Sequence, residues 1–175
     1  MNRFTHISAG VALTFLASCA ITGEPDSGPI AAPSTDASRN MLVTLASLAG
    51  TWECQTPDGP FTIEFRSTAK GSAVHEIMMP GTENEMVNLY TVHGGGVNMT
   101  HYCAAGNQPH MRATAIDDGR MAFASTGVSG LEASDDHYMA AMTLVILDGD
   151  HIEQHWTGGD QDADTPAMVF ELTRK

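Results

Sequence analysis

The stretch Pro60 to Ser67, PFTIEFRS, puts Phe61, Ile63 and Phe65 on one parity and Thr62, Glu64 and Arg66 on the other. A period of two with one apolar side is the pattern of a strand that buries one face. Short runs of strand character follow in EMVNLYTV, GVNMTHYCA, HMRATAI, RMAFAST, DHYMAAMTLVIL, HIEQHWT and TPAMVFELTRK. Turn signals lie between them, at Gly94-Gly95-Gly96, Gly106-Asn107, Asp117-Asp118-Gly119 and Asp148-Gly149-Asp150. Helical spacing occurs once, in RNMLVTLASLAG, where Met41, Leu42, Leu45 and Leu48 recur every three or four residues before Gly50 stops the run.

These elements predict an all-β chain of about ten strands with one short N-terminal helix. Tight connections favour an antiparallel meander, and a meander of this length closes on itself because closure removes exposed edges. The expected fold is a single up-and-down β-barrel. A sandwich fits less well, since its Greek-key crossovers need longer connections than most of those seen here.

The N-terminal residues change the picture of where the barrel sits. Arg3, an apolar run from Ala9 to Ala17 and small residues before Cys19 have the build of a secretory signal, too short to span a bilayer permanently. Leu16-Ala17-Ser18-Cys19 resembles the bacterial lipobox, which implies cleavage after residue 18 and acylation of Cys19. Two or three acyl chains, at about 0.8 kcal/mol per buried methylene, hold a chain firmly to a membrane. Ala20 after the cysteine implies the periplasmic face of the outer membrane. Residues 19–40 are rich in Pro, Gly, Ser and Thr and nearly free of large apolar side chains, so they read as a tether. Residues 41–175 then form the barrel domain.

A net charge of −13, from eight Lys and Arg against twenty-one Asp and Glu, excludes a phosphate-binding surface. Nucleic acid is not a partner, and attachment to a membrane must come from the lipid.

Gly50-Thr51-Trp52 has the G-x-W form that opens the first strand of lipocalins and related calycin barrels. In those families a basic side chain from the last strand stacks over the tryptophan, a role that the resemblance gives to Arg174 of ELTRK. The longer stretch from Gly71 to Ala113 is similar to the central part of a group of bacterial barrels, often secreted or lipid-anchored, related to nitrobindin-like and lipocalin-like proteins. The resemblance implies the fold and supplies no reaction. The nitrobindin-like relatives hold haem through one histidine at the barrel mouth, which would make His101 or His155 the ligand if its side chain points inward.

The stretch THYCAAGNQP concentrates the candidate chemistry. On a strand, His101 and Cys103 share a face and Tyr102 takes the other. A nucleophile with its base would need hydrogen-bond contact, whereas side chains two apart stand parallel at roughly 6.5–7 Å, so no catalytic residue is assigned. Cys54 and Cys103 are the two thiols left once Cys19 is acylated, and an oxidising compartment would favour their pairing if they meet; the alternative is a free Cys103. Histidines and methionines are numerous, which raises copper, but they follow no compact ligand spacing. Asn107 and Gln108, ahead of Pro109, read first as turn residues and second as rim contacts for a ligand. His155 alternates with Trp156 and shares its face with His151, Glu153 and Thr157, which favours the solvated side.

With only 6 % aromatic residues and strands such as MAAMT, room for a small, largely apolar ligand is expected inside the barrel. The rivals are an enzyme or a haem- or metal-binding protein using His101, Tyr102 and Cys103, and a packed barrel with a structural role.

Overall fold

The computed structural model describes residues 33–159 and 168–175. The expected signal, Cys19 and the expected tether up to residue 32 lie outside the described residues. One helix, α1 (Asp36–Ser47), precedes ten strands: β1 (Gly50–Cys54), β2 (Phe61–Thr68), β3 (Ala73–Met78), β4 (Met86–His93), β5 (Gly96–Tyr102), β6 (Gln108–Ala113), β7 (Arg120–Ser129), β8 (Met139–Ile146), β9 (His151–Gly158) and β10 (Met168–Arg174). Each strand pairs antiparallel with its neighbour in sequence, and β1 pairs with β10, so the sheet closes as an up-and-down barrel.

Alternation decides which side chains enter. In β2 the pattern read from sequence holds, with Ile63 and Phe65 buried and Glu64 on the other face. In β5, Val97, Met99 and His101 are buried while Tyr102 is 48 % exposed. Methionine fills much of the interior: Met78, Met99, Met111, Met121 and Met142 are all fully buried. Its unbranched, polarizable side chain packs irregular space at little cost.

The turns follow their residues. Asp118 and Gly119 both take positive φ, 44° and 72°, in the two-residue turn between Asp117 and Arg120. Gly96 is needed for a different reason, because a Cβ there would lie 2.5 Å from the Ala113 carbonyl oxygen of the neighbouring β6.

The helix closes one end of the barrel. Met41, Leu42, Leu45 and Leu48 join the core cluster that includes Trp52, whose Nε1 donates to the Leu48 carbonyl at 2.8 Å. Arg174, paired with Trp52 across the closing strands, lays its guanidinium 4.2 Å from the indole centroid and donates to the Ala49 carbonyl. The helix begins ahead of the boundary at residue 41. Its start is set by a capping box, in which the Thr35 hydroxyl accepts from Ser38 N and the Ser38 hydroxyl accepts from Thr35 N. Composition alone assigned these polar residues to the tether.

Candidate functional site

The helix packs against the β4–β5 turn, where Thr35 N and the Ser38 hydroxyl both donate to the Gly94 carbonyl. Strand β5 therefore runs away from the helix, and His101 lies toward the opposite end, the end without the helical lid. Cross-strand register places Asn88 beside it on β4 and, across β3, sets Glu76 against Asn88. From the other side of the barrel, β9 contributes Gln154 and Trp156.

These side chains form one continuous hydrogen-bonded layer. Glu76 accepts three bonds: from the Tyr90 hydroxyl at 2.5 Å and Asn88 Nδ2 at 2.9 Å on Oε2, and from Gln154 Nε2 at 2.7 Å on Oε1. Trp156 Nε1 donates to Gln154 Oε1 at 3.2 Å, and His101 Nδ1 lies 2.7 Å from Asn88 Oδ1. Glu76, Asn88, Tyr90 and Gln154 have no accessible surface, so no water-sized space adjoins them. Burial raises the Glu76 carboxyl above its ordinary range, against the pull of its three donors. Tyr90 is pushed well above its usual value by burial and then by the neighbouring Glu76.

Hydrogen-bond direction can be followed from one end of the layer to the other. An indole nitrogen only donates, so Gln154 Oε1 must accept and Gln154 Nε2 must donate to Glu76. Asn88 gives Nδ2 to the carboxylate, which leaves Oδ1 as the acceptor for His101 Nδ1–H. Burial lowers the His101 pKa to about 4, so at neutral pH the ring carries a single proton. With the Asn88 amide so oriented, that proton belongs on Nδ1. Nε2 keeps its lone pair, and none of the described residues hydrogen-bonds to it. The ring is 2 % exposed and tilts against the Trp156 indole at a centroid distance of 4.8 Å.

The other residues singled out in the sequence are dispersed. Tyr102 points outward. Cys103 has left the strand and belongs to a turn in which its N–H donates to the Asn107 carbonyl and its carbonyl accepts from Gly106 N, so the shared face expected with His101 ends at Tyr102. Cys54 and Cys103 are both free thiols; Cys54 ends β1 and Cys103 follows β5, and β2, β3 and β4 lie between those strands. His155 is on the outer face, 2.7 Å from Glu153. Gln108 Nε2 donates to the Gly106 carbonyl, a turn contact.

Asn107 is 3 % exposed and donates through Nδ2 to the His137 carbonyl, while its Oδ1 is buried without a partner among the described residues. It borders a pocket of about 370 Å³ between the β5–β6 turn and the β7–β8 loop, with Glu132, Asp136 and His137 on the other wall. Asp136 Oδ2 is occupied by the N–H groups of Glu132 and Ala133. Among the described residues, no three His, Cys, Asp or Glu side chains converge as a metal-binding group.

Sequence reasoning found His101 and missed its partners. The available signal was parity: Glu76 falls in step with Val74 and Met78, Asn88 with Tyr90, and Gln154 with Ile152 and Trp156. A polar residue in step with buried apolar ones is a buried polar group in need of partners.

No protein-family model matches the chain, and no curated protein matches it. Among solved structures it is similar to the crystal structure of Rv2717c from M. tuberculosis, with a TM-score of 0.51 and 14 % identity. The match covers 77 % of this chain and 96 % of that one. At that identity the likeness shows the barrel fold.

Proposed function

We propose that this chain is a binding protein of the bacterial cell envelope, tethered by lipid at Cys19, whose barrel takes a small, largely apolar molecule against His101 and Trp156. The observation that carries this reading is the inward imidazole at the end opposite the helix, neutral, with Nδ1 against Asn88 Oδ1 and Nε2 hydrogen-bonded by none of the described residues. A buried imidazole lone pair is desolvated and points one way, which suits it to orient a single polar atom of a mostly apolar ligand. The aromatic face of Trp156 supplies stacking area beside it. Room has to come from side chains that can move, and Met78 and Met142 are placed for that. Met78 Sδ lies 3.7 Å from Asn88 Nδ2, and Met142 pairs with Trp156 across the sheet.

A metalloporphyrin or a copper ion bound through one nitrogen is the second reading, favoured by the same Nε2. A ligating histidine commonly donates its other N–H to a second group, as His101 does to Asn88. His101 would be the protein ligand, and His155, turned outward, would not.

Native mass spectrometry with absorbance spectroscopy, on protein purified from its own envelope, separates these readings. A co-purifying organic molecule supports the first, and a porphyrin or copper supports the second. In titration with a neutral naphthylamine dye, His101→Ala is expected to weaken binding at least tenfold and His155→Ala to leave it unchanged. Failure of the wild type to bind the dye, with nothing co-purified, would favour the packed barrel instead.

A further inference from the structure

We propose that Glu76 is a positioning residue for this site: its carboxylate, acting through the Asn88 carboxamide, holds His101 in the Nδ1–H tautomer and keeps Nε2 free. This rests on the reading of His101 as the ligand contact, although the relay can be tested without any ligand.

The chain of donors and acceptors has two fixed points. At one end Trp156 can only donate, which orients the Gln154 amide and makes Glu76 Oε1 an acceptor. At the other end His101 is neutral and has one proton to place. Between them, Glu76 Oε2 and Asn88 each have a single arrangement that leaves no donor facing a donor while Glu76 is ionised. Asn88 Nδ2 faces the carboxylate, and Asn88 Oδ1 faces the ring. In a layer without water there is no solvent to repair a mismatch, so one reversed amide would leave buried groups unsatisfied.

Replacing Glu76 by glutamine reverses the relay. Gln154 still donates toward position 76, so the oxygen of the new amide must occupy that side and its NH₂ must face Asn88 and Tyr90. The Tyr90 hydroxyl rotates to accept. Asn88 has to turn its Oδ1 toward the new NH₂, which swings its own Nδ2 to His101. Two donors cannot face each other, so His101 must give up the Nδ1 proton and carry it on Nε2. A change on β3, with no direct contact to the imidazole, thereby converts the ligand-facing nitrogen from acceptor to donor.

Long-range proton–nitrogen NMR correlation reads the tautomer directly. In the full mature protein at neutral pH, His101 Nε2 is expected to resonate as a pyridine-like nitrogen. In Glu76→Gln it is expected to move to the pyrrole-like position, with Nδ1 moving the opposite way. A structural role for Glu76 would change stability and leave the tautomer where it was. A protonated Nε2 in the wild type, or an unchanged tautomer in folded Glu76→Gln, overturns the proposal. If Glu76→Gln does not fold, Asn88→Ala cuts the relay at its middle and should yield a mixture of both tautomers; a pure Nδ1–H form there overturns it as well. Dye titration of the same proteins keeps the two ideas apart. A tautomer that switches while no variant binds dye sustains the relay and removes the ligand reading. Binding that needs His101 with a tautomer indifferent to Glu76 does the reverse.

Discussion

At the scale of single residues, His101 and Glu76 stand at the two ends of one carboxamide and pull stability in opposite directions with pH. The unfolded chain protonates His101 near 6.5, and the folded protein holds it neutral down to about 4. The stability gained from keeping it neutral is therefore whole above 6.5 and drains away as the pH falls toward 4. At 1.36 kcal/mol per pH unit this is worth roughly 3 kcal/mol. Urea unfolding across that range should show the wild type losing about this much relative to His101→Gln, which lacks the titrating group. Glu76 has the opposite sign, because its folded pKa lies above the ordinary 4.5. Its contribution is full below 4.5 and is lost as the pH rises through the folded value, so the wild type should weaken relative to Glu76→Gln over that rise. Coincident slopes for the two variants would mean that neither group is desolvated as described.

At the scale of elements, the strands were legible because side-chain parity is a local property, and the layer they carry was not. PFTIEFRS announces β2, and HIEQHWT announces β9 together with the outward face of His155. Parity cannot say that Glu76 on β3 and Gln154 on β9 meet inside the barrel, because that contact depends on closure across residues far apart in sequence. The helix start was hidden for a different reason. Residues 34–40 are polar apart from Ala37 and resemble residues 19–33 in composition, yet Thr35 and Ser38 satisfy each other's backbone and tie the first turn to the β4–β5 hairpin. Ser38 is fully buried, and its hydroxyl has four of these contacts to make or share. Ser38→Ala is accordingly expected to cost about 1–2 kcal/mol in chemical unfolding, the loss of a cap plus a buried hydrogen bond. Because the lid and the polar layer occupy opposite ends, His101 should keep its tautomer in that variant.

At the scale of the whole molecule, the barrel has two ends of different character, and each holds one of its two tryptophans. Trp52 sits under the helix, bonded to Leu48 and covered by Arg174, far along the strands from any titrating imidazole in the interior. Trp156 belongs to the other end, with the His101 ring 4.8 Å away. A neutral imidazole in contact with an indole quenches its emission little, whereas an imidazolium quenches it strongly, so each tryptophan reports on its own end. With Trp52→Phe, the emission of Trp156 should fall as the solution is acidified, with a midpoint close to the His101 value of about 4. With Trp156→Phe, the emission of Trp52 should stay level over the same interval until the barrel itself unfolds. Adding His101→Gln to Trp52→Phe should abolish the early fall, which assigns it to this ring and not to the outer histidines. If the two tryptophans instead respond together, protonation of His101 opens the whole barrel, and the polar layer holds the closed sheet together as well as orienting the site.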